Sequence, residues 1–203
     1  MPKIISYPGT YLCGINLKNF YPCHNLSLCG RLLSPDFIAL SALTIAKKHR
    51  SVRDTSIEEL RRGGAAGILS PRGQVLLRTS PMCGIELQFE KVRRQIAPNA
   101  PSRLSCLFVV DNSKEGVENI KEMLGPNVFL LKVRIPAAIR VAKADRRWFD
   151  AYCSNADLKN VENYWFSRAF SPGNRWEYLI DGMIEAVDDS QIEYIRKNGA
   201  KIE

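Results

Sequence analysis

Residues 176–187 have the sequence WEYLIDGMIEAV, in which two β-rich runs flank the pair Asp181-Gly182. An Asp-Gly pair between such runs is a strong short-range signal for a β-hairpin. The sequence therefore predicts that 176–180 and 183–187 are two strands paired across a tight turn. Because the rest of the chain mixes strands and helices without regular βαβ alternation, the predicted fold class is α+β.

Three further segments have the pattern of strands, at 10–15, 103–110 and 128–135. The second is apolar on both faces beyond Ser105, which is typical of a central strand. Residues 16–33 are rich in Asn, Gly, Cys and aromatic residues, and they are expected to be irregular.

Helices are predicted where apolar residues recur at helical spacing, at 37–50, 56–62, 85–96, 114–124 and 155–168. The first has the clearest start, because Ser34-Pro35-Asp36 supplies an N-cap, a proline at the first helical position and an acid in the first turn. The second is expected to stop at Gly63-Gly64.

The composition is that of a globular chain: of 203 residues, 45% are hydrophobic and 25% are charged. This predicts one domain over 1–203 with a divergent, basic, helical part at about 16–100. No apolar run approaches the ~20 residues that span a bilayer, and the N-terminus lacks the apolar region of a secretory signal. We therefore expect no membrane partner and a cytoplasmic location, in the producing cell or in a target cell reached without a cleaved signal.

Metal binding is not expected from the cysteine and histidine pattern. The six cysteines form no C-x-x-C pair, and the chain has two histidines, His24 and His49. Reduced cysteines packed as small hydrophobic residues are the expected alternative to disulfides.

Positive charge is concentrated in the first half of the chain. Residues 31–103 carry thirteen Lys and Arg against six Asp and Glu, whereas 104–203 carry fourteen against fifteen. An acidic partner, either nucleic acid or the pyrophosphate of a dinucleotide, fits this asymmetry. A basic surface with no specific partner is the alternative.

Glu177 is unusual for its place, between Trp176 and Tyr178 in an apolar strand. A carboxylate there is costly unless it is paired, hydrogen-bonded or at the edge of a cleft. The alternative is a solvated glutamate on the exposed face of an edge strand.

Three short motifs together carry a resemblance: Pro-Ser-Arg-Leu-Ser at 101–105, Tyr-Trp at 164–165, and Glu-Tyr-Leu-Ile-Asp-Gly at 177–182. They resemble a bacterial branch of the ADP-ribosyltransferase-like superfamily, over roughly 85–187. The resemblance implies a split β-sandwich flanked by helices, with NAD in the cleft between its sheets and no metal. It also implies a mono-ADP-ribosyltransferase, a bacterial or phage toxin or effector, which an antitoxin or chaperone protein could regulate.

By this resemblance Glu177 is the catalytic glutamate, which hydrogen-bonds the nicotinamide ribose. Leaving of nicotinamide generates an oxocarbenium-like cation, which a carboxylate stabilises. The resemblance also implies a set of residues that contact NAD: Ser102, Arg103, Ser105, Tyr164, Tyr11, Arg31 and His24.

Two departures from the superfamily pattern affect this assignment. Cys13 stands where the early strand usually has Arg or His, and the sequence does not decide whether Arg31 or His24 replaces it. Arg175 stands two residues before Glu177, where enzymes that modify arginine have Glu or Gln. A basic residue there favours an anionic acceptor, so RNA or DNA is preferred to protein as the macromolecular acceptor.

Plainer interpretations of the same residues stay open. Trp165 or Tyr164 fits the buried stripe of its helix, Arg103 could cap the preceding helix or pair with Glu90, and Ser105 could be a packed small residue. At the level of function, the alternatives are a non-catalytic nucleic-acid-binding module and a degenerate NAD-fold protein-interaction domain.

Overall fold

The computed structural model describes residues 4–41, 51–62, 68–78 and 82–201. Within them the strands form an antiparallel sheet, which with the surrounding helices confirms the α+β class. The strands are β1 (Ile5–Ile15), β2 (Arg31–Leu33), β3 (Leu107–Asp111), β4 (Phe129–Asp145) and β5 (Trp176–Ala186). The described helices are α1 (Phe20–Cys29), α2 (Pro35–Ser41), α3 (Ile57–Arg61), α4 (Pro71–Arg78), α5 (Met82–Ile96), α6 (Lys114–Leu124), α7 (Arg146–Asn155), α8 (Leu158–Trp165) and α9 (Asp189–Asn198), with a 3₁₀ turn at Val52–Asp54.

The sheet closes on itself through its longest strand. The strand order is β2-β5-β3-β1-β4, and β4 also pairs with β5, so β5, β3, β1 and β4 form a circuit. β4 has 17 residues, enough to pair with β1 from Phe129 to Ala138 and with β5 from Val133 to Asp145.

The predicted hairpin at 176–187 is wrong, because Trp176–Ala186 form the single strand β5. Asp181 pairs with Arg140 and Gly182 with Ala138 in the middle of the β4–β5 ladder. A Cβ on Gly182 would lie 2.4 Å from the carbonyl oxygen of Ala137. The glycine is therefore needed for close approach of two backbones and not for a turn.

The segment at 16–33 is also not irregular, since it contains α1 and β2. α1 ends at Gly30, which has a left-handed φ of 68°, and the chain then turns directly into β2. This short strand pairs with β5 from Arg31↔Glu185 to Leu33↔Met183.

The other predicted strands exist with different limits. The strand at 10–15 begins earlier, at Ile5, and the strand at 128–135 continues to Asp145. Of 103–110, residues 103–105 form a turn and β3 begins at Leu107. Its predicted central position is confirmed, because β3 lies between β1 and β5.

The predicted helices at 56–62, 85–96 and 114–124 are confirmed as α3, α5 and α6. The helix predicted from Ser34 begins as expected, with the Phe37 N–H donating to Ser34 Oγ at 3.2 Å, but 42–50 lie outside the described residues. Gly63-Gly64 also lie outside them. The segment 155–168 is helical only as α8, because Asn155 ends α7 and a new N-cap at Asp157 starts α8.

The two faces of β5 contact different helices. Tyr178, Ile180 and Ile184 pack in a core with residues of α1 and α9. Leu179 packs in a second core with Phe89 of α5 and residues of α7 and α8. Because side chains alternate along a strand, Glu177 lies on the same face as Leu179.

No helix among the described residues is long and apolar enough to cross a membrane. The six cysteines are free thiols, with Cys13, Cys23 and Cys106 buried and Cys29 and Cys153 exposed.

Candidate functional site

Four elements place polar side chains around the start of β5. Glu177 is the second residue of β5, Tyr164 lies in the last turn of α8, and Glu86 lies in the first half of α5. Arg103 is supplied by the turn at 103–105, between α5 and β3. We call these four residues the Arg103 cluster.

Arg103 holds both carboxylates of the cluster. Its Nε and Nη2 donate to the two oxygens of Glu86 at 3.0 and 3.1 Å, and its Nη1 donates to Glu177 Oε1 at 2.9 Å. Tyr164 Oη accepts from Nη1 at 2.5 Å and donates to the same Glu177 oxygen at 2.6 Å. Such charge-assisted, partly bidentate bonds hold a carboxylate in one orientation.

The cluster is closed to solvent: Glu86, Tyr164 and Glu177 have 0% of their surface exposed, and Arg103 has 2%. Burial by itself would lower the pKa of Arg103, yet the Glu86 carboxylate, Tyr164 and Glu177 raise it well above its usual value. Burial, followed by the nearby Glu177 carboxylate, raises the pKa of Tyr164. Arg103 is therefore charged and Tyr164 protonated at neutral pH, so both act as donors to Glu177.

Two atoms at the site are buried without a hydrogen-bond partner among the described residues, Glu177 Oε2 and Ser105 Oγ. A buried carboxylate with one unpaired oxygen is costly in a protein interior, because that oxygen has lost water without gaining a donor. The free oxygen of Glu177 is therefore the atom of the cluster that can accept a further hydrogen bond.

Aromatic rings surround the Arg103 guanidinium. Its central carbon lies 4.2 Å from the ring centre of Phe149 and 5.5 Å or less from those of Phe89, Phe108 and Tyr164. These cation–π contacts stabilise the buried charge and exclude water from it.

Ser102 belongs to a neighbouring network. Its Oγ donates to Glu90 at 2.8 Å, and Glu90 also accepts from Arg93 at 2.8 and 2.9 Å and from Arg94 at 2.7 Å. Pairing of Arg103 with Glu90, one of the sequence-based alternatives, is therefore wrong, since Arg103 pairs with Glu86 and Glu177. The solvated position considered for Glu177 is wrong as well.

Tyr164 and Trp165 are both buried, at 0% and 7% exposure, although their adjacency had predicted that only one would fit the buried face of the helix. Trp165 Nε1 donates to the carbonyl of Phe89 at 3.0 Å, so it fastens α8 to α5. α8 can bury both because it contacts two other helices, α5 and α7.

Three residues of the predicted NAD-binding set lie elsewhere. Tyr11 packs against Tyr178 with ring centres 5.4 Å apart, on the face of the sheet opposite Glu177. Arg31 pairs with Glu185 at 2.7 Å, eight residues along β5 from Glu177, roughly 26 Å along the strand. His24 stacks on Phe20 of α1 and lines a cavity of about 210 Å³ beside the end of α9.

Sequence reasoning missed Glu86, which accepts two bonds from Arg103. The available signal was the spacing of Glu86, Glu90 and Arg93, which share one face of α5 and are all buried. Three charged residues at helical spacing toward a core indicate an internal polar network.

A second buried charge group lies farther along the same face of β5. One guanidinium nitrogen of Arg140 lies 3.1 Å from Asp36 and 2.5 Å from Asp181, and both aspartates are fully buried. Burial, together with the nearby Asp36 carboxylate, raises the pKa of Asp181 to about 7, and Arg140 opposes this rise. Burial likewise raises the pKa of Asp36.

Within the described residues, no group of three or more His, Cys, Asp or Glu side chains is placed to hold a metal ion.

No curated protein matches the sequence. The model of one protein family of unknown function, DUF2441, matches residues 74–194. This match includes α5 to β5 and the whole Arg103 cluster, and it spans more than half of the chain, so the protein belongs to the DUF2441 family.

Proposed function

We propose that this protein is an NAD-dependent mono-ADP-ribosyltransferase in which Glu177 is the carboxylate that acts on the nicotinamide ribose. The observation that carries the proposal is the convergence of Glu177, Arg103 and Tyr164 in one hydrogen-bonded cluster, in which Glu177 Oε2 has no partner. A ribose hydroxyl can donate a hydrogen bond to this oxygen. The proposal also rests on the resemblance in sequence motifs described above.

The role of each residue follows from its contacts. Arg103 and Tyr164 both donate to Oε1, which fixes the orientation of the Glu177 carboxylate. The negative charge of Oε2 then stabilises the positive charge that develops on the ribose as nicotinamide leaves. A macromolecular nucleophile attacks the ribose carbon from which nicotinamide has departed and loses its proton, which completes the transfer of ADP-ribose.

Access is the demanding step of this mechanism. Glu177 is fully buried, and the rings of Phe89 and Phe149 lie beside Arg103. NAD therefore reaches Oε2 only when α5 or α7, which carry these rings, moves away from β5. Such a movement is of the kind that gates other enclosed active sites.

The test is release of nicotinamide from NAD by the purified full-length protein, alone and with total RNA, DNA or cell lysate. Glu177→Gln is isosteric but uncharged, and we expect it to lower the rate at least about a hundredfold, as removal of a charge-stabilising group does. Glu193→Gln is the matched control, since Glu193 is an exposed glutamate of α9, and it should keep the wild-type rate. Label transferred from the adenylate then identifies the acceptor, and equal rates for the wild type and Glu177→Gln would refute the assignment.

The complete burial of Glu177 supports a second function, that of a degenerate, non-catalytic interaction domain. In that case the Arg103 cluster is a purely structural ion network. Calorimetric titration with NAD separates the two functions, because a catalytic site binds NAD and a structural network gives no heat.

A further inference from the structure

Three cations near the end of β4 have no carboxylate partner among the described residues. They are Lys143, Arg147 and Arg168, whereas Arg175 in the same region pairs with Glu122 at 3.2 Å. Lys143 and Arg168 are exposed and Arg147 is half-buried. Arg147 donates to the carbonyl of Pro172 at 3.0 Å and Arg168 to Asn163 Oδ1 at 2.8 Å, so both are hydrogen-bonded but neither is neutralised by a carboxylate. Cations without a carboxylate partner make the surface locally positive, although the second half of the chain has almost no net charge.

Each of these cations lies over an aromatic ring. Lys143 Nζ is 4.5 Å from the ring centre of Trp176, Arg168 is 5.4 Å from that of Phe166, and Arg147 is 6.0 Å from that of Phe170. We call these six residues the aromatic–cation surface. The rings are accessible as well: Phe166 is 51% exposed, and Phe170 and Trp176 are half-buried.

The loop at 166–175 that carries much of this surface is firmly held. The buried Asp145 accepts from the backbone N–H groups of Phe170 at 2.8 Å and Arg175 at 3.0 Å. Ser167 Oγ donates to the carbonyl of Lys143, and Trp148 Nε1 donates to that of Arg168 at 2.9 Å. The backbone that carries these rings and cations is therefore held in one arrangement, which lowers the entropy lost when a ligand binds.

From this arrangement we infer that the aromatic–cation surface binds single-stranded nucleic acid. Exposed bases stack on the rings of Phe166 and Trp176, and Lys143, Arg147 and Arg168 contact the phosphates. Single-stranded nucleic acid binds to aromatic rings interleaved with cations, because each base has a flat face that can stack and each phosphate carries a negative charge. A duplex does not fit, because its bases are already stacked on one another.

The surface lies next to the proposed catalytic residue without sharing its side chains. Trp176 and Tyr178 flank Glu177 on β5, and they point to the opposite face of the strand. The inference does not depend on NAD chemistry.

The experiment is fluorescence anisotropy of labelled oligo-dT and oligo-U, each of about 12 nucleotides, with the full-length protein. Three phosphate contacts predict a slope of log affinity against log salt of about −2, so affinity falls about twentyfold between about 50 and about 200 mM salt. Arg168→Ala should make the slope less steep by about 0.7, the effect of one phosphate contact. Phe166→Ala should leave the slope unchanged and weaken binding about five- to a hundredfold, the effect of one lost stacking contact.

A matched control removes an exposed cation and an exposed aromatic ring at the other end of the sheet, Lys18→Ala with Tyr21→Ala, and should bind like the wild type. Thermal unfolding checks that each variant is folded. The inference is overturned if neither oligonucleotide binds at low salt, if a duplex or polyglutamate competes equally well, or if Phe166→Ala binds as the wild type does. Loss of binding in the two surface variants with normal nicotinamide release in the same proteins would confirm this site separately from the NAD site.

Discussion

At the scale of single residues, Arg103 is held on every side that carries a donor group. It is 2% exposed and bonded to two buried carboxylates and a buried tyrosine. Removing one partner of a buried ion pair costs more than the pair contributes, because the other charge remains buried without compensation. Loss of Arg103 would leave the carboxylates of both Glu86 and Glu177 buried without a cationic partner.

We therefore expect Arg103→Met to lower the free energy of unfolding by about 3–5 kcal/mol. Urea unfolding followed by circular dichroism measures the change. The matched control is Arg31→Met, which breaks the ion pair between Arg31 of β2 and Glu185 of β5. Because the Arg31 side chain is 48% exposed, this change should cost less than about 1 kcal/mol. Similar losses in the two variants would show that burial of the Arg103 cluster does not determine its contribution.

Asp181 gives the stability of the protein a pH dependence of unusual sign. In the folded state its pKa is raised to about 7, chiefly by burial, whereas an unfolded aspartate titrates near pH ~4. Between these values the folded protein holds a proton that the unfolded chain has released. Stability is therefore greatest below pH ~4 as far as this group is concerned, and it is lost as the pH rises to about 7.

We expect the wild type to lose stability, on the order of a few kcal/mol, between pH ~4 and about pH 7. Asp181→Asn cannot ionise and should lose much less over the same range. Urea titrations of both proteins at several pH values test this, and parallel pH profiles would contradict it. Asp36, whose pKa is also raised by burial, is expected to leave a smaller dependence of the same sign in the variant.

At the scale of elements, the decisive feature is that β5 is one unbroken strand of 11 residues. Its partner β4 runs beside it from Val133↔Ala186 to Asp145↔Trp176. The ladder passes through Gly182, where the backbones of β4 and β5 approach too closely for a side chain. The register of β4 against β5 shifts on both sides of this close approach, between Arg134 and Ala137 and between Ala138 and Arg140.

Gly182→Ala should therefore destabilise the protein by about 1–3 kcal/mol, since the new methyl group meets the backbone of Ala137 and Ala138. Gly84→Ala in α5 is the contrasting substitution, because a Cβ there meets no atom within 4 Å. It should raise stability by about 0.5–1 kcal/mol, since alanine favours a helix. Thermal and urea unfolding compare the two, and a neutral Gly182→Ala would contradict the register of β4 with β5.

At the scale of the whole molecule, the region matched by the DUF2441 family does not contain the complete sheet. It covers residues 74–194, whereas β1 and β2 lie before it. β1 closes the circuit between β3 and β4 and contributes Leu12, Cys13 and Ile15 to the buried core. Without β1, one edge of each neighbouring strand has no partner.

A fragment of residues 74–194 should therefore fail to fold cooperatively, while the full-length chain gives a single transition. The unpaired edges of β3 and β4 expose backbone donors and acceptors along with apolar surface. Circular dichroism during heating distinguishes the two proteins. A cooperative transition in the fragment would show that β1 is dispensable and that the family region is an autonomous unit.

Local sequence signals determined much of the helical structure. α3, α5 and α6 follow from apolar spacing, and in the structure Ser113 caps α6 by accepting from the Gly116 N–H at 3.1 Å. Helical hydrogen bonds join residues four apart, so the sequence of the segment itself contains the relevant information. The same is true of the strand character of 107–110 and 176–180.

The tertiary structure alone decided how the strands pair and what surrounds Glu177. Asp181-Gly182 has the local pattern of a turn, but pairing with β4 keeps it extended, and no spacing within 176–187 reveals that partner. Arg103 meets Glu177 across 74 residues of chain, and Tyr164 meets it from another helix. Buried charges pair with the groups that the fold brings close in space, whatever their separation along the chain. The sequence therefore indicated Glu177, Arg103 and Tyr164 as site residues. It did not reveal that all three are buried or that Arg103 and Tyr164 both donate to Glu177.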